Sequence, residues 1–257
     1  MCFQGYHDAG HASVLAVARD QAGEPVIVKA WFDHDRYRNE VAALRYWEAV
    51  NGRVVVAQDD ELEVALLAMV GATPGGAPRP EGADHRVAEA LARLHSLPIA
   101  GIRFPTLEGY LRSTVEPRVR QRLRRFGSEF PGPFLGMSVH TRPVPTRAAP
   151  VLLHTDLYQE NVPFTADERP VFLDPLPMLG DPGFDWAFFV VYFDLGRDPL
   201  TRLHLASQAG GIEVRSLVSW CLPLCLDGLL YYHEVGDERE PRMREILATL
   251  TAEGRKP

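Results

Sequence analysis

Two short apolar runs, each ending in polar residues, constrain this chain more than any other feature. The first is Val151-Leu-Leu-His154-Thr155-Asp156-Leu157-Tyr-Gln-Glu-Asn161-Val162; the second is Val171-Phe-Leu-Asp174-Pro175. Each reads as a short buried strand that delivers side chains to a site at its end. The stretch from Pro163 to Pro170 is polar enough for the turn of a hairpin, a layout that would gather Asp156, Asn161 and Asp174. Two carboxylates and a carboxamide suit a hard cation such as Mg²⁺, which takes oxygen ligands and shares them with a substrate phosphate. Plainer readings stand beside this one. Asp caps helices and Asn occupies turns, and His154 with Asp156 would equally serve a zinc hydrolase.

The remainder of the chain narrows the choice. At 257 residues it can bury a substantial core, as one large domain or two lobes. A composition 46% hydrophobic and 24% charged argues against disorder, and a net charge of −7 argues against a nucleic-acid partner. Cys2, Cys221 and Cys225 form neither a disulfide framework nor a tetrahedral zinc site. The start, Met-Cys-Phe-Gln-Gly-Tyr, lacks the pattern of a signal peptide. The longest apolar run, Trp186 to Phe193, is too short to span a bilayer, which takes about 18 residues or more. The expectation is a cytoplasmic protein, a monomer or weak dimer, with no membrane partner.

The front of the chain reads as strands and one helix. Gly5-Tyr-His-Asp-Ala-Gly10-His-Ala-Ser13 is either an ordinary turn or a loop whose Gly10 and Ser13 amides lie over phosphates. Strands follow over Val14 to Arg19 and Pro25 to Phe32, with a turn at Asp20 to Gly23. Lys29 interrupts the second strand, as a solvated edge residue or as a lysine holding phosphate oxygens. A helix is expected from Tyr37 to Val50, and Glu40 near its start suits the helix dipole. A strand lysine followed eleven positions later by a helical glutamate is also how kinases fix a phosphate-binding lysine. Two more strands, Val54 to Ala57 and Glu63 to Val70, precede a Pro/Gly-dense stretch at Gly71 to Pro80. That stretch marks a boundary: a first lobe over 1–70, a linker over 71–83 and a helical lobe over 84–257.

Beyond the linker, Asp84 to Leu97 has an amphipathic helical pattern, with His95 at its core or rim. Leu107 to Arg125 continues as helix and carries a run of arginines, a solvated face or a phosphate patch. Phe126 to Pro150, rich in Pro and Gly, reads as an irregular connection into the hairpin.

With these residues in order, the chain resembles the aminoglycoside phosphotransferase family. The resemblance rests on Leu152-Leu-His154-Thr155-Asp156-Leu157, Asn161-Val162, Leu173-Asp174-Pro175 and Gly180-Asp181-Pro182-Gly-Phe-Asp185-Trp-Ala187. Arg38-Asn-Glu40-Val-Ala-Ala-Leu-Arg-Tyr-Trp47 is most similar to its streptomycin- and hydroxyurea-kinase branch, and the likeness runs from about Gly5 to about His233. The family implies an α+β, protein-kinase-like two-lobed fold: a small antiparallel β-rich lobe with one helix, a larger helical lobe, and ATP in the cleft. It implies an ATP- and Mg²⁺-dependent phosphotransferase acting on a small-molecule hydroxyl, here an aminoglycoside or related antibiotic. Carried over by position, Asp156 is the catalytic base, and Asn161 and Asp174 are Mg²⁺ ligands. Lys29 holds the phosphates, braced by Glu40, and the backbone near Ala68 to Val70 receives the adenine. His154 supports the catalytic loop and Asp185 anchors it. Asp227, His233 and Glu234, in a helix-like stretch from Trp220, would suit the ammonium groups of a polyamino sugar, or are plain surface charges. A scaffold that binds nucleotide without catalysis and a metal-dependent hydrolase on His154 and Asp156 are the competing functions.

Two departures from the family pattern carry structural expectations. Thr155 stands where His-Gly-Asp has glycine, and a β-branched residue there predicts an extended backbone without positive φ. Only Met1 to Gln4 precede the glycine-rich stretch, so the first strand of the small lobe is expected to be missing or truncated.

Overall fold

The structure is a computed structural model that describes residues 2–9, 12–72, 75–99, 101, 103–130, 143, 145–146 and 148–256. It is an α+β chain of two compact units, one made of Met1–Leu97 with Gln159–Pro177, the other of Pro98–Tyr158 with Met178–Pro257.

The first unit is built on a five-stranded antiparallel sheet in the order β1-β2-β3-β5-β4. Its strands are β1 (Cys2–Ala9), β2 (Ser13–Arg19), β3 (Pro25–Trp31), β4 (Val55–Asp59) and β5 (Val64–Ala68). Val14, Leu15 and Val17 in β2 and Val26, Ile27 and Val28 in β3 suit these strands to a pleated, half-buried surface. Their hairpin turns where Asp20 Oδ1 accepts the N–H groups of Ala22 and Glu24, with Gly23 supplying a φ of +85°. The expectation of a missing first strand is overturned. Residues 2–9, which include the first part of the Gly5 to Ser13 stretch expected to be a turn or loop, pair with β2 through two register shifts. Bulges let a strand of poor β-propensity stay in the ladder.

Helix α1 (His34–Tyr46) starts where Asp33 Oδ1 caps the Arg36 N–H at 2.7 Å, and a short α2 (Glu48–Asn51) follows. The apolar face of α1 (Tyr37, Val41, Leu44) packs with Trp31, Val54, Val55, Ala65, Leu67 and Val171 into one core. The Pro/Gly-dense stretch is held inside this unit rather than spanning open space. Ala77 donates its N–H to Phe164 O at 2.7 Å, and Arg79 donates to the carbonyls of Gln159 and Val162. Gly71, at φ +65°, lies where a Cβ would come 2.4 Å from Ala77 N, so only glycine fits. Helix α3 (Ala83–His95) completes the unit and buries Val87, Leu91 and Leu94.

The second unit is mainly helical. It begins with α4 (Leu107–Tyr110), a π-type turn over Leu111–Val115 and α5 (Glu116–Phe126), close to the expected helix. A two-stranded ladder, β6 (Val151–Leu153) with β7 (Met178–Gly180), leads into α6 (Gly183–Val191), every residue of which is buried. Helices α7 (Pro199–Gly210) and α8 (Val214–Val235) pack against it, and α9 (Glu240–Glu253) packs against those two. The longest apolar element is therefore α8 and not Trp186 to Phe193. By length and composition it could cross a membrane, yet 56% of its apolar window is buried within the chain and Pro223 interrupts it. A core helix has the same composition.

Candidate active site

The expected hairpin is built differently from its sequence reading. Val151–Leu153 pairs with Met178–Gly180 in the second unit, not with Val171 to Leu173. The arm opposite 171–173 is 161–163 in the first unit: Val171 N–H donates to Pro163 O at 2.9 Å and Leu173 N–H to Asn161 O at 2.8 Å. Three-residue apolar runs have no register of their own, so tertiary context chose the partner. The arm brings Asn161 level with Leu173, the residue before Asp174.

Asn51, at the end of α2, fixes the height of that strand. Its Nδ2 donates to Phe172 O at 2.8 Å and its Oδ1 accepts the Phe172 N–H at 3.1 Å, both buried. Two residues beyond this clamp lies Asp174, at φ +51°, a left-handed conformation that Asp tolerates better than most side chains.

Lys29 sits at the middle of β3, paired across to Leu15 on β2 and Ala65 on β5, and is 3% exposed. Its Nζ donates to Glu40 Oε1 at 2.6 Å and to Asp174 Oδ1 at 2.8 Å. Glu40, fully buried on α1, also accepts Trp31 Nε1–H at Oε2, 2.8 Å away. Burial pushes the Glu40 carboxyl above its ordinary value, and the Lys29 charge opposes that only in part. Asp174 moves the other way. Burial would raise it, but Lys29 and then Arg36 outweigh burial and hold it low, so it is ionised at neutral pH. Its side chain is 46% exposed, open on one flank to a ligand.

Arg36 was not singled out by sequence. It lies one helical turn before Glu40, with Nη2 3.1 Å from Asp174 Oδ1 and Nε 3.6 Å from Glu40 Oε2. Its (i, i+4) spacing from Glu40 was the available signal. Asn51 was missed because nothing local distinguishes a clamping Asn from one ending a helix.

Of the other expected nucleotide residues, Ser13 is buried at the start of β2, and Ala68 ends β5 with its N–H on Val54 O at 2.8 Å. Val70 opens a single 3₁₀ turn. Gly10 lies outside the described residues.

In the second unit, His154, Thr155 and Asp156 follow β6. Thr155 has φ +59°, which overturns the extended backbone expected of it. A left-handed β-branched residue costs about 1–2 kcal/mol, so something must hold it. Asp185 does so. Its Oδ2 accepts the His154 N–H and its Oδ1 the Thr155 N–H, both at 2.8 Å and all buried. The His154 ring then accepts the Asp156 N–H at Nδ1, 3.3 Å away, which requires that nitrogen to be unprotonated. Helix α6 thus supports the turn that presents Asp156.

The acidic residues of α8 are already paired. Asp227 accepts from Arg118 Nε at 3.1 Å and Arg122 Nη1 at 3.2 Å, and Glu234 from Arg122 Nε at 2.9 Å and Arg125 Nη1 at 3.4 Å. His233 Nε2 lies 3.0 Å from Glu129 Oε2, with its ring edge-on to Phe126 and Phe130. The arginine run of α5 is thus an ion-pair partner of α8, and the charge offered to an ammonium group is met within the chain.

Comparison with known proteins agrees with this architecture. The family model described as the phosphotransferase enzyme family (APH) matches residues 8–218. Streptomycin 6-kinase of Streptomyces griseus is 24% identical over 248 residues, covering 89% of this chain and 77% of that one. Among solved structures, a wild-type aminoglycoside 2'-phosphotransferase-IIIa in its GDP complex aligns with a TM-score of 0.63 at 16% identity, covering 98% of this chain and 94% of the other. A choline/ethanolamine kinase family protein from Mesorhizobium loti aligns at 0.61 and 17% identity, covering 99% and 89%. These structural likenesses show the kinase-like fold. By the extent of the family match, the chain belongs to the phosphotransferase enzyme family and is a small-molecule phosphotransferase.

Proposed function

We propose that this enzyme transfers the γ-phosphoryl group of ATP to a hydroxyl of a small molecule, an aminoglycoside or related antibiotic. The observation that carries the reading is the Lys29 ammonium, buried in β3 and fixed between Glu40 and Asp174. A buried lysine braced by a helical glutamate and set beside a half-exposed aspartate is an arrangement suited to holding nucleotide phosphates next to a metal ligand. By role, the organisation proposed is a nucleotide-binding lobe over 1–70, a linker over 71–83 and a catalytic lobe over 84–257, a division that differs from the packed units, since 71–97 and 159–177 fold with the first of them. The relatives named for streptomycin and for aminoglycosides support the acceptor class.

Each residue then has a task. Lys29 neutralises phosphate oxygens, and Glu40 keeps its amine in place. Asn161 and Asp174 offer a carboxamide and an ionised, half-exposed carboxylate, a donor set that fits Mg²⁺ when phosphate oxygens and water complete the shell. When bound, Mg²⁺ would neutralise charge on the transferred group. Asp156 accepts or orients the proton of the acceptor hydroxyl, on a turn held by Asp185 and His154. Phosphoryl transfer asks for position and charge rather than covalent chemistry, so Asp156 needs no unusual pKa. Ser13 contributes to phosphate binding and the backbone at Ala68 to Val70 to adenine binding. The enzyme is expected in the cytoplasm, as a monomer or weak dimer.

The test is ³¹P detection of product with Mg²⁺-ATP across aminoglycosides, nucleosides and hydroxyurea. Phosphorylated product from an aminoglycoside supports the reading. Nucleotide binding without turnover of any acceptor would favour a scaffold, and stabilisation by Zn²⁺ in place of nucleotide would favour a hydrolase.

A further inference from the structure

Four charged groups meet in the first unit, and only three have a task in the reading above. Lys29 and Arg36 bring two positive charges; Glu40 and Asp174 bring two negative ones. Lys29 and Arg36 share a single oxygen, Asp174 Oδ1, at 2.8 and 3.1 Å. The Arg36 guanidinium is 16% exposed, and its Nε is buried with no hydrogen-bond acceptor among the described residues. A guanidinium that makes one shared bond and leaves a buried N–H unmet is under-used. Its planar fork matches phosphate oxygens two at a time, and charge-assisted bonds of that kind are about twice as strong as neutral ones.

We infer that Arg36 is a second polyphosphate-binding cation, resting on Asp174 Oδ1 until a nucleoside triphosphate arrives and then donating its fork to the phosphate oxygens. The inference rests on the nucleotide reading of Lys29 and Asp174. The hand-over is electrostatically balanced: Asp174, released by Arg36, would be free to hold a metal ion, and phosphate oxygens would meet the charge of the guanidinium. It also explains why an arginine, which pairs in two directions, stands one turn before Glu40, where any helix-forming residue would satisfy the fold.

The deciding measurement is calorimetric binding of Mg²⁺-ATP and Mg²⁺-GTP, with adenosine and guanosine as controls that lack phosphate. Arg36→Gln is expected to weaken triphosphate binding about tenfold or more while leaving nucleoside binding unchanged. Arg36→Lys, which keeps the charge and loses the fork, should recover part of the loss. The melting temperature of each variant without ligand establishes that it is folded. Equal triphosphate affinity in Arg36→Gln and wild type overturns the inference alone, as does an equal loss for nucleoside and triphosphate. A folded wild-type chain that binds neither triphosphate overturns the nucleotide reading with it.

Discussion

Asp185 Oδ1 accepts the backbone N–H of Thr155 at 2.8 Å, and on this bond a left-handed threonine depends. The neighbouring amide of His154 uses the second oxygen of the same carboxylate. Asp185→Asn keeps the shape but turns one acceptor into a donor facing a buried N–H. A loss of about 1–3 kcal/mol is expected in urea unfolding. Thr155→Gly should go the other way by about 0.5–1 kcal/mol, because relief of the left-handed strain exceeds the added freedom of the unfolded chain. A Thr155→Gly protein less stable than wild type would contradict the observed backbone.

Lys29 and Glu40 form a buried pair in which either partner alone is a liability. Lys29→Met strands Glu40 at 0% exposure and is expected to cost about 3–5 kcal/mol. Adding Glu40→Leu should recover part of that stability without restoring nucleotide binding. Parallel melting and calorimetric titration of the single and double variants separate the two effects. Recovery of nucleotide affinity in the double variant would remove Lys29 from the phosphate site.

Asp156 is proposed to act on the acceptor hydroxyl, and its main-chain N–H already rests on His154 Nδ1. Asp156→Asn should therefore leave the melting temperature nearly unchanged and lower kcat by about a hundredfold to ten-thousandfold. A steady-state assay with an accepted aminoglycoside reads this directly. An unaltered kcat would exclude Asp156 from the reaction.

Two carboxylates in the Lys29 cluster give opposite dependences of stability on pH. Asp174 is held below its ordinary value, so the folded state binds its proton less tightly than the unfolded chain. Its contribution is present above the unfolded value of about 3.9 and is lost as pH falls through the folded pKa. Glu40 is held above its ordinary value, so its contribution is complete below about pH 4.3 and lost as pH rises through the folded pKa. Asp174→Asn should flatten the acid limb of the stability curve. Glu40→Gln should flatten the decline on the other side. Urea midpoints between about pH 3 and 7 measure both.

Sequence was most informative where the local pattern and the fold agreed. The turn-bounded apolar runs of β2 and β3 and the 3.6-residue period of α1 and α3 placed Lys29 and Glu40 on elements whose packing brings the two side chains within 2.6 Å. It was least informative where a residue's role is set by a distant partner. Val151–Leu153 is too short to specify whether 171–173 or 178–180 lies beside it. β1 has a composition that only its pairing with β2 makes a strand. Thr155 adopts a conformation its own chemistry disfavours because Asp185, thirty positions away, supplies the acceptors. Arg36 looks like an ordinary solvated helix residue until Asp174, 138 positions later, comes beside it. Asp227 and Glu234 likewise appear as spare acids until α5 provides their arginines.

The Asn51 clamp on Phe172 ties a segment from the second half of the chain into the unit that begins it. A polypeptide ended at residue 97 would keep Lys29 and Arg36 yet lack Asp174, leaving two cations facing one buried acid. The halves of this enzyme consequently cannot be cut, exchanged or inherited as consecutive modules. Ribosomal synthesis must reach the 159–177 insertion before the first unit can close.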